Sequence, residues 1–128
     1  QRFRNCHTRR RFTLAGINDI SLGIPVERIF HNYQTIIDTL LENNIQPIVQ
    51  STLCQTGNPS GNHSVTCLNY LLEDYCTGKN IVFIDLNKFM ADKNGLMPEY
   101  STDGTHLSER GYEIWSEKLK QVITGLHL

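Results

Sequence analysis

Asp103 and His106 stand three residues apart in DGTHLSERGY, just ahead of the apolar-periodic stretch that closes the chain. A carboxylate so close to an imidazole can hold the ring in one orientation and one tautomer, leaving its other nitrogen to act as a general base. Gly104, between them, supplies the tight turn that such a pairing needs. A plain surface turn with Asp103 as turn former uses the same residues, and the pair alone does not choose between the two. A second stretch, AGINDIS at residues 15–21, has comparable content. Gly16 lets the backbone turn sharply after an apolar segment, and Asn18 then offers a carboxamide donor of the kind an acyl-transfer site uses to hold a developing oxyanion. A helix-capping turn also favours Asn and Asp, and taken by itself AGINDIS fits that reading better.

These residues need elements to bring them together. RFTLAG (residues 11–16), QPIVQST (46–52) and IVFIDL (81–86) read as short, continuously apolar strands. Pro25 opens a helix, since proline is tolerated at the first helical position. Ile29, Tyr33, Ile36, Ile37, Leu40 and Leu41 mark its apolar face, and Asn43 and Asn44 end it. TGNPSGNHS (56–64) reads as a loop. A helix follows over 65–75, with Val65, Leu68, Leu71, Leu72 and Tyr75 inward and Gly78 as its stop. Residues 87–91 read as a short helix and 92–105 as a long loop. Ser108 caps a last helix to about Ile123, whose apolar set is Tyr112, Ile114, Trp115, Leu119, Val122 and Ile123.

Strands alternating with helices predict a parallel sheet covered on both faces. In such sheets the chemistry lies beyond the carboxyl ends of the strands. Residues 16–21, 51–61 and 87–106 fall there, so both stretches above are expected at one rim.

Taken together, AGINDIS after a strand and DGTHLSERGY before a terminal helix resemble the SGNH/GDSL hydrolase superfamily. Gly16, Ile17, Asn18 and Asp19 match its Gly-x-Asn-Asp block, and Asp103, Gly104, Thr105 and His106 match its Asp-x-x-His block. The resemblance implies a flavodoxin-like three-layer α/β/α sandwich that hydrolyses esters of small molecules through an acyl-serine, with no metal or organic cofactor. It implies that His106 is the base, Asp103 its orienting acid and Asn18 an oxyanion donor. Gly16 and Asp19 would shape the loop.

The family's opening Gly-Asp-Ser block and its second block are not in the sequence. The expectation is therefore an N-terminally truncated single domain over residues 1–128 with three of the five family strands and no nucleophile. Such a chain would be inert alone, the active ester hydrolase being a full-length parent. Ser21, Ser51 and Cys54 lie near the expected rim but lack the sharp strand-to-helix presentation of a nucleophile. A non-catalytic pseudoenzyme or interaction module is the alternative. The family strand order, 2-1-3-4-5, would leave the strand at residues 12–15 as an unpaired edge. Self-association, or pairing with the missing N-terminal segment, is expected there.

Composition sets the remaining bounds. The length of 128 residues suits one domain, and no apolar run approaches the ~18–20 residues that span a bilayer. No secretory signal is visible, which leaves cytoplasmic and secreted locations equally open. The net charge of -1 conceals Arg2, Arg4, Arg9, Arg10 and Arg11 in a basic arm, residues 1–11, ahead of an acidic remainder. No aromatic interleaving or nucleic-acid motif accompanies them, so the arm reads as a solvated terminus and no nucleic-acid partner is expected. Cys6, Cys54, Cys67 and Cys76 show no metal-ligand spacing.

Overall fold

The computed structural model describes residues 23–125 in full and the strand Arg9–Thr13 by its backbone. Gly16, Asn18, Asp19, Ser21 and Cys6 lie outside the described residues. The chain order is β1 (Arg9–Thr13), α1 (Val26–Glu42), β2 (Ile45–Gln50), α2 (Pro59–Gly78), β3 (Val82–Ile84), α3 (Asn87–Met90), β4 (Ala91–Asp92), β5 (Gly95–Leu96) and α4 (Glu109–Gly125).

β1, β2 and β3 form one parallel sheet in that order. Arg9 pairs with Ile45 and Thr13 with Val49, while Ile48 pairs with Val82 and Gln50 with Ile84. β1 starts two residues earlier than its sequence suggested, so the backbone of Arg9, Arg10 and Arg11, read from the sequence as part of the basic arm, pairs with β2. β2 offers backbone partners from Ile45 onward, and the pairing runs back as far as β2 does.

Alternation along β2 sorts the layers, because successive side chains leave opposite faces of a strand. Val49 packs with Ile37, Cys76 and Ile81 under α1 and α2, and the same layer continues through Ile29, Tyr33, Leu68 and Leu72. Ile48 and Ile84 face the other way, into a cluster with Leu86, Met90 and Leu96 that α4 covers with Ile114, Trp115, Leu119 and Val122. This is the α/β arrangement expected, with helices on both faces of a parallel sheet. Trp115 also pins α4 through a polar contact: its Nε1–H donates to Gln50 Oε1 at 2.6 Å, deep under the helix.

Helix limits follow from local chemistry. Ile29, Tyr33 and Ile37 recur every fourth residue and are buried, whereas Ile36, one position off that stripe, is 47% exposed. Asn44 adopts φ 60, the left-handed turn that ends α1 and starts β2. α2 begins at Pro59, inside the stretch read from the sequence as loop. The reason is capping: Asn58 Oδ1 accepts from the Gly61 N–H at 3.1 Å, and Pro59 gives up an N–H that a helix leaves unpaired anyway. Part of the expected long loop is a two-stranded antiparallel hairpin, β4–β5. Tyr112, expected inward, is 55% exposed. The buried point of that turn is Gly111, whose lack of a side chain lets α4 approach the Tyr100 carbonyl.

Candidate active site

The segment that leaves β2 is held by three carboxamides from two helices, α2 and α3. Ser51 continues the sheet, donating its N–H to Ile84 O at 2.8 Å, and its Oγ accepts from the Leu86 N–H at 2.9 Å. Asn69 of α2 brackets Thr52, accepting from its N–H at 2.8 Å and donating to its carbonyl at 2.9 Å. Asn87 of α3 donates to the same carbonyl at 2.8 Å and accepts from the Cys54 N–H at 2.9 Å. Asn62 does the same for Gln55, with both bonds at 2.7 Å. An irregular segment beyond a parallel strand loses its ladder partners, and these amides replace them.

That segment carries the turn bearing Asp103 and His106. The Thr56 N–H donates to Gly104 O at 2.9 Å, and Gln55 Nε2 reaches Thr105 Oγ1 at 3.3 Å. Gly104 has φ +83, and a Cβ there would come within 2.9 Å of the Thr56 side chain. Glycine is therefore required at this position both for its conformation and for the close approach. The turn thus sits against the chain leaving the carboxyl end of β2, the rim that the topology assigns to chemistry.

Within the turn, Asp103 Oδ1 accepts the N–H groups of Thr105 at 2.9 Å and His106 at 2.8 Å. Its Oδ2 lies 2.8 Å from His106 Nδ1. The His106 backbone bond is the largest influence on the Asp103 carboxyl, followed by the His106 ring and the Thr105 N–H; together they hold it well below the usual carboxylate range. An ionised carboxylate only accepts, so the neutral ring must carry its proton on Nδ1 and present a bare Nε2. Nothing among the described residues bonds Nε2, and the ring is 80% exposed.

Two of the weaker candidate nucleophiles are described. Ser51 is fully buried with its hydroxyl engaged by Leu86, so its role is structural. Burial, and then the Asp85 charge, push the Cys54 thiol up, which keeps it protonated and a poor attacker. Among the described residues no group of three His, Cys, Asp or Glu side chains is placed to hold a metal ion. None of their helices is long and apolar enough to cross a membrane. Sequence reasoning missed the three bracketing asparagines, Gln55 and Thr56. Polar residues at helix starts and in loops carry no sign of which backbone they will reach.

Helices cover both faces of a parallel sheet, and an acid–imidazole pair lies beside the chain leaving one of its carboxyl ends, in an α/β fold. The model of the GDSL-like lipase/acylhydrolase family matches residues 6–114, and the chain belongs to that family. A GDSL-like lipase of Bacteroides thetaiotaomicron superposes with a TM-score of 0.83 at 25% identity, over 90% of this chain and 62% of that one. An acetyl xylan esterase shares the fold, with a TM-score of 0.78 at 16% identity over 93% and 69%. Among curated proteins, an N-acylneuraminate cytidylyltransferase of Streptococcus agalactiae is 28% identical over 107 residues, which are 80% of this chain and 25% of that protein. The chain thus spans a quarter of the length of that relative. The overlap gives no ground for transferring the activity in its name.

Proposed function

We propose that this chain supplies the acid–base part of a serine ester hydrolase site that acts on acyl or acetyl esters of small molecules. His106 Nε2 takes the proton of the attacking hydroxyl and later returns a proton to the leaving alcohol. Asp103 holds the ring and balances the charge that forms on it, and Asn18 donates to the oxyanion. Gly16 and Asp19 shape the Asn18 loop. The observation that carries this reading is the 2.8 Å contact between Asp103 Oδ2 and His106 Nδ1, with Nε2 open to an incoming group. The sequence holds no Gly-Asp-Ser block to supply the attacking serine, and the chain assayed alone should turn over little or no ester.

A chimera tests the reading. The part of the Bacteroides thetaiotaomicron lipase that this chain does not match is joined ahead of it, and p-nitrophenyl acetate hydrolysis is followed. Turnover by the chimera, absent from the chain alone and abolished by His106→Ala, is the expected result. Loss of the base should lower kcat by several orders of magnitude, as for other members of a catalytic triad. A folded chimera with no turnover removes the hydrolase reading. Robust turnover by the chain alone, sensitive to His106→Ala, would locate a nucleophile within it.

A further inference from the structure

The turn that carries Asp103 and His106 is closed at its base by a backbone bridge between Ser101 and Leu107. At its centre is one hydroxyl, that of Ser101, a residue only 6% exposed. Ser101 Oγ donates to the His106 carbonyl at 2.6 Å and accepts from the Gly104 N–H at 2.9 Å. Asp103 Oδ1 lies 3.4 Å away. A hydroxyl has a single proton, and the much shorter contact to the His106 carbonyl takes it. The same atom therefore fixes the peptide that precedes the pair's glycine hinge and the peptide that carries the imidazole. With Oγ removed, the His106 carbonyl and the Gly104 N–H both lose their partner inside a half-buried turn.

We propose that Ser101 is the positioning residue of the acid–imidazole pair: its hydroxyl sets the direction of the His106 peptide so that Nδ1 meets Asp103 and Nε2 faces outward. Ser101 acts through the backbone and touches no reacting atom. The catalytic importance of that position rests on the hydrolase reading; the geometric control does not.

The tautomer of neutral His106 reports the positioning directly, because Asp103 holds the proton on Nδ1. In the full chain, the imidazole nitrogen shifts of His106 are read by proton–nitrogen correlation NMR at a pH where the ring is neutral. The unsubstituted chain should show the Nδ1–H form. Ser101→Ala should move the shifts toward the Nε2–H form that an unconstrained neutral histidine side chain prefers, while methyl signals from Ile37 and Val49, across the sheet, stay in place. Ser101→Thr, which restores the hydroxyl, should bring the Nδ1–H form back. Should Ser101→Ala fail to fold, Ser101→Cys fills the same space with a weaker donor and is expected to give the same shift. An Nδ1–H form unchanged in Ser101→Ala, or in the Cys variant, overturns the proposal. Because these shifts are read without ester turnover, an inactive chimera would refute the hydrolase reading and leave this one standing.

Discussion

The carboxyl of Asp103, whose side chain is about half exposed, is lowered mainly by local hydrogen bonds. The largest contribution to its lowered carboxyl comes from the His106 backbone N–H, not from the ring. His106→Ala should therefore leave the carboxyl below the ordinary range, though less so, in a carbon-detected NMR titration. A return to ordinary carboxylate behaviour in that variant would mean that the ring dominates. The sign for stability follows from linkage. A carboxyl whose folded value is depressed stabilises the fold above its ordinary value of 3.8 and loses that contribution as pH falls toward the folded value. The turn around Asp103 should thus persist into mild acid and open only in strong acid. At this scale the sequence was informative about Asp103, Gly104 and His106, because the three lie within four consecutive residues and a tight turn leaves them few arrangements. It was silent about Ser101, whose hydroxyl matters only because the chain returns to it at Gly104 and His106.

Helix limits and packing decide where that turn sits. α4 meets it at Gly111, where a Cβ would lie 2.5 Å from the Tyr100 carbonyl. Backbone cannot yield as a side-chain tip does, so Gly111→Ala should cost about 1–3 kcal/mol and lower Tm by several degrees in a thermal melt. A neutral outcome would mean that α4 can slide on the sheet. At the start of α2, Asn58→Ala removes the cap on Gly61 and should cost about 1 kcal/mol by the same measurement. α1 and α2 are joined at their far ends by Tyr75, whose hydroxyl donates to Asp38 at 2.5 Å beside Lys79. Burial first, and then Asp38, push this phenol up to about 12. Its contribution is complete below the ordinary phenol value of 10.0 and fades as pH rises toward 12. An alkaline absorbance titration should find a late tyrosine component that is reduced in Tyr75→Phe. The elements themselves were largely legible, since apolar runs and 3–4 spacing report burial directly. Their edges were not. The start of α2 depends on a cap inside a turn-rich stretch, and the β4–β5 hairpin involves pairs too short to leave an alternating pattern.

Across the whole molecule, the parallel order β1-β2-β3 leaves the outer edge of β1 with no strand beside it among the described residues. Unpaired N–H and C=O groups on such an edge recruit another strand. We propose that the isolated chain self-associates there, and size-exclusion chromatography with light scattering should show species larger than a monomer. A clean monomer whose β1 amides exchange rapidly with solvent would contradict this. The layered architecture was readable from strand–helix alternation, whereas the convergence of distant loops was an inference from topology. The central claim is that Asn18 joins His106 at the carboxyl rim of one parallel sheet. It is tested most directly by a nitroxide at position 18, through Asn18→Cys in a chain whose Cys6, Cys54 and Cys67 are replaced by Ser. The account predicts that the label broadens the NMR signals of the His106 ring and the Thr105 amide and spares Asn44 and Asn80, which precede β2 and β3 at the opposite rim. Broadening at Asn44 and Asn80 with His106 left sharp would contradict it.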